Sequence, residues 1–503
     1  MILNMTSRTD FWQLVALAWR EKKNQVPVVL EMLEDNLTPV LAYLTLRRTG
    51  SGSFLYESVI GGERTARYSF LGVKPFQSFA YRDGQIQILD RNGIVVTNDN
   101  TDPKIFLADE LERFSMLTVP GLPPFAGGLV GNIGYDAVRL VEPQIKDENP
   151  DELGLPDINL MYFDSVIAFD HVAKKIYLIK LVKIEAEASV NEANYLQATE
   201  QLDELHEQLL SPRLLDLVPG QPTNGITSNF TQAEFEAMVK RCQEYITAGD
   251  AFQIVVSQRF SCPLTVEAFV IYRCLRHTNP SPYLFFLDFG AWQMIGSSPE
   301  ILVNVKDREV SICPIAGTRP RGKNDVEDDQ LAAELLADNK ECAEHLMLID
   351  LARNDIGRVA AFGTVEVPRR MFIEKYSTVM HIVSEVTGKL RQELSPLDAL
   401  WTSVPAGTLS GAPKIRAMEI IEELEPTRRG PYGGCVGFLG FDGNIETAIV
   451  IRTAIATNNR LYWQAGAGIV YDSDPAKEYL ETCQKGKSIL RSLVMAGNTK
   501  DAS

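Results

Sequence analysis

Short apolar runs of strand length recur through the first 180 residues of the chain. They occupy 76–80, 86–89, 165–169 and 176–181, and their aliphatic and aromatic residues, bounded by polar segments, predict strands. The pattern changes at 187–210, where leucines recur at helical spacing within an acidic stretch. This segment is therefore predicted to be a helix.

A stretch rich in Pro, Gly, Ser and Asn at 211–230 separates two parts of the chain. Such a composition indicates a linker or a long surface connection. Immediately after it, Thr231 and Glu234 have the spacing of a capping box and predict the start of a helix. We therefore divide the sequence into an N-terminal region, 1–225, and a C-terminal region, 226–495, in which helices and strands are mixed without the regular alternation of a doubly wound sheet.

The balance of charges narrows the classes of function. The chain has 66 acidic and 49 basic residues, a formal net charge of −17, whereas nucleic-acid binding needs a concentrated basic surface. No nucleotide-binding glycine motif occurs, and no apolar run approaches the roughly 20 residues that span a bilayer. The seven cysteines contain no CxxC pair, and the N-terminus lacks the pattern of a signal peptide. A soluble protein of a reducing, cytoplasmic compartment is therefore expected.

Two pairs of carboxylates are spaced so that each pair shares one helix face. Glu341 and Glu344 stand at i and i+3, Glu478 and Glu481 repeat the spacing, and Lys485 lies one turn beyond the second pair. On either helix alone, a solvated acidic face is the simpler interpretation. Two such helices together could instead hold a hard divalent cation. Because no histidine or cysteine cluster suits zinc, magnesium is the favoured ion.

Glycine-rich stretches and one embedded arginine suggest a site for an anion. The segments 317–322, 433–434 and 466–468 can bring backbone N–H groups close to a carboxylate. Arg452 stands inside an apolar run, and a buried guanidinium needs an anionic partner. That partner could be a bound carboxylate or a structural salt bridge, and the sequence leaves both interpretations open.

Several motifs in fixed order resemble the chorismate-utilising enzyme family. In the C-terminal region they are 252–258, 296–300, 314–321, 344–355, 431–434 and 464–468, and in the N-terminal region 56–58 and 67–72. The resemblance implies an α+β fold in which two large, mainly antiparallel β-sheets pack orthogonally with helices outside. It also implies that the N- and C-terminal regions interleave in space.

The resemblance further implies roles for individual residues. The implied magnesium ligands are Glu344 and Glu481, supported through water by Glu341 and Glu478. Glu300 would protonate the departing C4 hydroxyl of chorismate, and His381 would assist loss of the hydroxyl and the later elimination. Taken alone, Glu300 could be a carboxylate near a helix start and His381 a core histidine. The residues implied to position the two substrate carboxylates are Gly317, Thr318, Tyr432, Arg452, Gly466, Gly468 and Lys485.

Two positions favour one branch of this family. The water-adding isochorismate and salicylate synthases carry a lysine where this chain has Gln253, and water needs a general base whereas ammonia has its lone pair available. Aminodeoxychorismate synthases commonly carry a nucleophilic lysine where this chain has Ala316. The sequence is therefore similar to the anthranilate synthase large subunits, which convert chorismate and ammonia to anthranilate and pyruvate in tryptophan biosynthesis. Gln253 is then a third catalytic position.

The source of ammonia points to a partner. The chain has no amidotransferase cysteine motif, so a separate glutamine amidotransferase subunit is expected, in a heterotetramer. An aminodeoxychorismate synthase large subunit is the nearest alternative, and an isochorismate-type enzyme is a more distant one. A non-catalytic binder of tryptophan or chorismate is the alternative from a different class.

A feedback site for L-tryptophan is also suggested by the resemblance. Glu57 and Ser58 resemble one half of that site, and the run 279–283 resembles the other. The implied tryptophan-binding residues are Ser58, Pro280, Ser281, Pro282 and Tyr283. The structural alternative is a proline-rich turn that packs on the N-terminal sheet.

Overall fold

The computed structural model describes residues 2–33, 36–48, 50–58, 67–211, 225–376 and 379–497. Most of the predicted linker, 212–224, lies outside these described residues. The predicted capping box is confirmed, because the Thr231 side chain accepts from the Glu234 backbone and the Glu234 carboxylate accepts from the Thr231 backbone. These two reciprocal bonds satisfy amide groups that the first turn of a helix leaves unpaired.

The described residues form two sheets, of which the first has 13 strands. Its strands are β1 (Ile2–Met5), β2 (Gln25–Leu33), β3 (Ser53–Glu57), β4 (Tyr68–Val73), β10 (Ser165–Asp170), β11 (Lys175–Lys183), β12 (Thr227–Ser228), β13 (Gln253–Pro263), β14 (Tyr283–Asp288), β15 (Gln293–Ser298), β21 (Gly411–Ala412), β24 (Thr453–Thr457) and β25 (Arg460–Ile469). They lie in the order β1-β2-β11-β10-β4-β3-β14-β15-β24-β25-β13-β12, with β21 paired to β13.

The second sheet has 12 strands within the described ranges. Its strands are β5 (Gln77–Arg82), β6 (Gln85–Asp90), β7 (Val95–Asp99), β8 (Gly128–Ile133), β9 (Ile158–Phe163), β16 (Ile301–Lys306), β17 (Glu309–Ile312), β18 (Ile315–Pro320), β19 (Glu366–Lys375), β20 (Val379–Lys389), β22 (Cys435–Gly440) and β23 (Ile445–Ile449). They lie in the order β18-β20-β17-β16-β23-β22-β8-β9-β5-β6-β7, with β19 paired to β20. The four predicted strands are confirmed as β5, β6, β10 and β11.

Eleven α-helices accompany the sheets in the described part of the chain. They are α1 (Arg8–Arg20), α2 (Pro39–Leu46), α3 (Pro103–Arg113), α4 (Ala188–Leu210), α5 (Gln232–Ala248), α6 (Ala268–Thr278), α7 (Asp325–Ala337), α8 (Asn339–Gly357), α9 (Pro396–Ser403), α10 (Lys414–Leu424) and α11 (Pro475–Gly497), with 3₁₀ turns at Tyr135–Leu140 and Gly407–Leu409. The predicted helix at 187–210 is confirmed as α4. Within the described residues, no helix combines the length and the apolar character needed to cross a membrane.

Both sheets combine strands from the two sides of residue 225. In the first sheet β3 pairs antiparallel with β14, and in the second β8 pairs antiparallel with β22. The pairs assigned between named strands are antiparallel, so the expected α+β fold with two large antiparallel sheets is confirmed. The two regions of the sequence therefore contribute to shared sheets.

An aromatic core joins the two sheets. Phe54 on β3 lies edge-on to Phe163 on β9 at 4.8 Å between ring centroids, and both side chains are buried. Gly72 on β4 leaves the space for this pair, since a Cβ there would come within 2.5 Å of Phe54 and 2.8 Å of Phe163. Nearby, the Tyr56 hydroxyl on β3 donates to the Gly437 carbonyl on β22 at 3.0 Å. Close packing across this layer therefore sets how the sheets lie against each other.

Truncation of Phe163 tests the importance of this layer. We expect Phe163→Ala to lower the free energy of unfolding by about 3–5 kcal/mol, because it removes buried apolar surface and leaves a cavity. Phe362→Ala is the matched control, since that ring is fully exposed and its loss should change stability little. Denaturant unfolding of the two variants measures the difference, and an equal effect would contradict the packing.

Candidate active site

The two predicted carboxylate pairs lie on helices α8 and α11. The Asp338 carboxylate begins α8 by accepting from the backbone N–H groups of Lys340 at 3.0 Å and Glu341 at 3.2 Å. Asp474 likewise accepts from the backbone at the start of α11. These caps fix the first turns of both helices. Glu341 and Glu344 therefore lie near the start of α8, as Glu478 does at the start of α11.

Electrostatic coupling shows that the two helices bring their carboxylates into one acidic cluster. The pKa of Glu344 is raised, mainly by burial and then by the charges of Glu341 and Glu481. The pKa of Glu478 is also raised by burial, and Glu481 adds to this shift. Glu344 and Glu481, which are far apart in sequence, thus lie on the same side of the molecule. Repulsion among these carboxylates favours a bound cation.

The donor set suits magnesium. Among the described residues, no group of three or more His, Cys, Asp or Glu side chains is placed to hold a metal ion. Magnesium commonly takes only one or two protein carboxylates and completes its shell with water and an anionic ligand. Glu344 and Glu481, one from each helix, provide two carboxylates. The acidic cluster therefore fits a magnesium ion that shares its coordination with water and a substrate.

Cationic groups border the acidic cluster. Lys485 Nζ lies 2.7 Å from Glu481 Oε1 and donates to the Gly466 carbonyl at 2.9 Å. Arg452 donates to the Lys485 carbonyl at 2.7 Å, and burial lowers the pKa of its guanidinium. In the part of the chain that the structure describes, Arg452 forms no ion pair with a carboxylate. The salt-bridge interpretation of Arg452 therefore lacks support, and an anionic ligand fits this guanidinium better.

Three glycines allow close approach of polar side chains. A Cβ at Gly466 would lie 2.8 Å from the Tyr432 hydroxyl, and a Cβ at Gly468 would lie 2.8 Å from Gln253 Nε2. Gly317 has a φ of +63°, a conformation that favours glycine, and a Cβ there would lie 3.2 Å from Glu341 Oε2. Because these three positions have no side chain, the backbones of β18 and β25 are accessible from the site.

Glu300 lies between β15 and β16, where the chain passes from one sheet to the other. Its carboxyl accepts from Thr408 Oγ1 at 3.1 Å. Burial raises the pKa of Glu300 to about 8, and the Thr408 hydrogen bond and the charge of Lys485 offset the shift only in part. Although the side chain is partly exposed, a pKa in this range keeps the carboxyl largely protonated at neutral pH. Glu300 is therefore able to donate a proton.

The hydrogen bonds of His381 define its tautomer. His381 Nδ1 lies 2.8 Å from the Gly317 carbonyl, which can only accept, so Nδ1 carries the hydrogen. Nδ1 also lies 3.2 Å from Thr318 Oγ1. Burial lowers the pKa of His381 and favours the neutral ring. The lone pair is then on Nε2, which makes that atom a candidate proton acceptor.

A buried ion pair beside Tyr432 escaped the sequence analysis. Arg429 binds Glu425 at 2.6 Å and donates to the carbonyls of Leu409 and Val255, while Glu425 accepts from the backbone and hydroxyl of Ser257. The Arg429 guanidinium also lies 5.6 Å from the centre of the Tyr432 ring. The network ties β13 to the 3₁₀ turn at Gly407–Leu409, which carries Thr408. Only the i, i+4 spacing of Glu425 and Arg429 pointed to it in the sequence.

Three of the five predicted tryptophan-binding residues lie at a separate cavity of about 510 Å³ between the two sheets. Ser58, Pro282 and Tyr283 line this cavity, but Pro280 and Ser281 do not. The hydroxyls of Ser58 and Ser281 are buried and have no hydrogen-bond partner among the described residues. The turn does pack on the first sheet, because β14 pairs with β3. The unpaired hydroxyls nevertheless indicate room for a polar ligand.

Comparison with known proteins connects this arrangement to one family. A model of chorismate binding enzymes matches residues 54–491. Anthranilate synthase component 1 of Pseudomonas aeruginosa is 47% identical over 492 residues, covering 97% of this chain and 99% of that protein. The crystal structure of anthranilate synthase component I from Streptococcus pneumoniae matches with a TM-score of 0.75 and 40% identity, over 91% of this chain and 98% of that one. The menaquinone-specific isochorismate synthase of Escherichia coli shares the fold, with a TM-score of 0.69, 18% identity and coverage of 96% and 99% of the two chains.

The raised pKa of Glu300 predicts a pH dependence of stability. Because the folded state holds this proton more tightly than the unfolded state, the stabilisation is complete below the ordinary pKa of a glutamate and is lost as the pH rises through about 8. We expect Tm to fall less between about pH 6 and about pH 9 in Glu300→Gln than in the wild type. Thermal unfolding followed by circular dichroism measures both shifts. The exposed Glu309→Gln should behave as the wild type, and an unchanged shift in Glu300→Gln would contradict the burial.

Proposed function

Since the chain belongs to the family of chorismate-binding enzymes, we propose that it is the large subunit of an anthranilate synthase. It would convert chorismate and ammonia to anthranilate and pyruvate in tryptophan biosynthesis, in the cytoplasm. The observation that carries this proposal is one site in which an acidic cluster from α8 and α11 adjoins Lys485 and Arg452. Such a site can hold a divalent cation and a dicarboxylate together.

The chain has a net charge of −17, so it can bind the two carboxylates of chorismate only if local positive charge neutralises them. Magnesium held by Glu344 and Glu481, with Glu341 and Glu478 supporting through water, would supply positive charge for the ring carboxylate. Arg452 is placed to take the other charge, since its guanidinium lacks a carboxylate partner among the described residues. The Tyr432 hydroxyl and the amides of Gly466 and Gly468 complete the anion-binding surface.

Proton transfers are assigned from the protonation states of two residues. Glu300, protonated near neutral pH, gives its proton to the C4 hydroxyl, which leaves as water while ammonia adds at C2. The neutral His381, with its lone pair on Nε2, accepts the proton that C2 loses as pyruvate departs and the ring becomes aromatic. Tuning of an acid and a base by burial is the means by which one site performs both steps near pH 7.

The presence of Gln253 favours ammonia over water as the nucleophile. Its side-chain amide partly offsets the rise in the pKa of Glu344 and lies against Gly468. An amide cannot act as the general base that water would need. Ala316 on β18 provides no nucleophile for a covalent route. Ammonia would come from a separate glutamine amidotransferase subunit, in a heterotetramer. The 47% identity with an anthranilate synthase component 1 supports this choice over an aminodeoxychorismate synthase.

Feedback inhibition by L-tryptophan is proposed for the cavity between the sheets. Its wall contains Ser58, Pro282 and Tyr283, and the carboxylates of Glu374 and Glu446 are suited to an α-ammonium group. Tyr376 lines the same cavity, donates to Glu374 at 3.0 Å and lies 5.5 Å from His381 between ring centroids. A ligand that shifts Tyr376 would therefore disturb a catalytic group.

Product analysis with a metal-ligand variant tests the activity. Purified chain with chorismate, magnesium and ammonium at about pH 8.5, where more free ammonia is present, should produce fluorescent anthranilate and pyruvate. We expect Glu344→Gln to lower the rate about 100-fold or more, because it removes one charge of the metal site, whereas the exposed Glu207→Gln should retain the rate. Product without a nitrogen source would instead indicate an isochorismate-type enzyme. A para-amino product that requires a lyase would indicate an aminodeoxychorismate synthase, and no turnover would favour a binding protein.

Inhibition is tested by titration with L-tryptophan. We expect the wild type to be inhibited and the half-inhibitory concentration to rise in Ser58→Ala. This variant removes a hydroxyl at the cavity that has no hydrogen-bond partner among the residues the structure describes. Ser51→Ala, at an exposed loop position, is the matched control. Activity that stays unchanged at saturating tryptophan would contradict the regulatory role.

A further inference from the structure

Asp355 is a buried carboxyl that the proposed reaction does not use. It lies near the end of α8 and is 7% exposed. Burial raises its pKa, and the charges of Lys414 and Arg358 offset the rise only in part. Lys414 Nζ instead donates to the carbonyls of Thr402 and Ser403, at 3.5 and 3.4 Å. Among the described residues the Asp355 carboxyl has no hydrogen bond and no ion pair, an arrangement that is costly in a protein interior.

Asp355 and Glu300 line the same small cavity, which we call the inner cavity. Its volume is about 40 Å³, and Thr408 is another of its lining residues. Within the described part of the chain, Glu300 and Asp355 are the two ionisable side chains of this lining. A polar space of this size accommodates a water molecule that can bridge two polar groups. The two carboxyls can therefore exchange a proton through water without direct contact.

Asp355 also lines a larger cavity that is open to solvent, the outer cavity. Its volume is about 940 Å³, and its lining includes residues of α3, α8, α9 and α10. Glu300 does not line this second space. Asp355 therefore lies between the solvent of the outer cavity and the carboxyl of Glu300.

The proposed reaction consumes the proton of Glu300 in every turnover, because the C4 hydroxyl leaves as water. The hydrogen-bond partner Thr408 cannot replace that proton, since an alcohol donates a hydrogen bond but is a very weak acid. The carboxylate that remains is disfavoured by burial, which raises the pKa of Glu300 to about 8. It therefore takes up a proton readily from a neighbouring acid.

We propose that Asp355 returns a proton to Glu300 after each turnover, through water in the inner cavity. The Asp355 carboxyl gives its proton to this water, and the water gives one of its own protons to the Glu300 carboxylate. The Asp355 carboxylate then takes a proton from solvent in the outer cavity, so one proton enters for each C4 hydroxyl that leaves. This inference rests on the proposed function, because it takes Glu300 as the acid of that reaction. Asp355 acts through Glu300 and does not contact the substrate.

The experiment compares the first turnover with the later ones in Asp355→Asn. Asparagine has nearly the same size but cannot deliver a proton. With magnesium and ammonium at about pH 7.5, Glu300 is largely protonated before the first turnover, so that turnover needs no relay. We expect the first-turnover rate to be retained, while the steady-state rate per active site falls about 10-fold or more. Stopped-flow fluorescence of anthranilate measures both rates on the same sites, so a misfolded fraction does not alter their ratio.

Glu142→Gln is the matched control. Glu142 lines the outer cavity but not the inner one, so its loss should leave the ratio of the two rates as in the wild type. An unchanged ratio in Asp355→Asn overturns the relay and assigns the return of the proton to the substrate side of Glu300. A first turnover slowed as much as the steady state also overturns it, since a structural defect acts on every turnover. In both cases the proposed function stands, whereas a wild type that forms no anthranilate would overturn the proposed function itself.

Discussion

The buried ion pair between Glu425 and Arg429 is the interaction on which the rest of the site depends. Both side chains are almost completely excluded from solvent, with 3% and 2% of their side-chain surface exposed. Their other hydrogen bonds reach two parts of the chain, β13 and the 3₁₀ turn at Gly407–Leu409. Loss of either partner would leave a charge without compensation in the interior, which is strongly destabilising. The pair thus holds together the strand that carries Gln253 and the turn that carries Thr408.

The second organising feature is that cationic groups gather at the site of a chain that is acidic overall. The chain is strongly acidic overall, yet Lys485 and Arg452 lie beside the carboxylates of the two helices. Burial then acts in opposite senses, since it raises the pKa of Glu300 and lowers that of His381. One physical cause therefore yields both a protonated acid and an unprotonated base. Glu300 and His381 lie on or beside strands of the sheets, whose low dielectric disfavours the charged form of each group.

The sequence predicted the local elements well, because periodicity and capping are local properties. The i, i+3 spacing likewise singled out the carboxylates of α8 and α11, whose roles stay predictions. The sequence could not decide between the two interpretations of Arg452, since a missing carboxylate partner is visible only in three dimensions. Thr408 was missed for the same reason, because its partner Glu300 is distant in sequence. Glu425 and Arg429 have local spacing, but their burial and their contacts with β13 are visible only in three dimensions. The run 279–283 was assigned as a unit, yet only part of it faces the cavity, because the turn before β14 directs neighbouring side chains to different sides. Local sequence patterns therefore cannot predict contacts that depend on how the two sheets pack against each other.

The pairing of β3 with β14 and of β8 with β22 has a consequence for biosynthesis of the chain. β3 and β8 each pair on one side with an early strand, β4 and β9. Their other edges have no partner until β14 and β22 have been synthesised. Such non-local pairing is slow to form, and exposed strand edges are prone to aggregate. The nascent chain therefore carries two incomplete sheet edges, one until Tyr283–Asp288 is made and the other until Cys435–Gly440 is made.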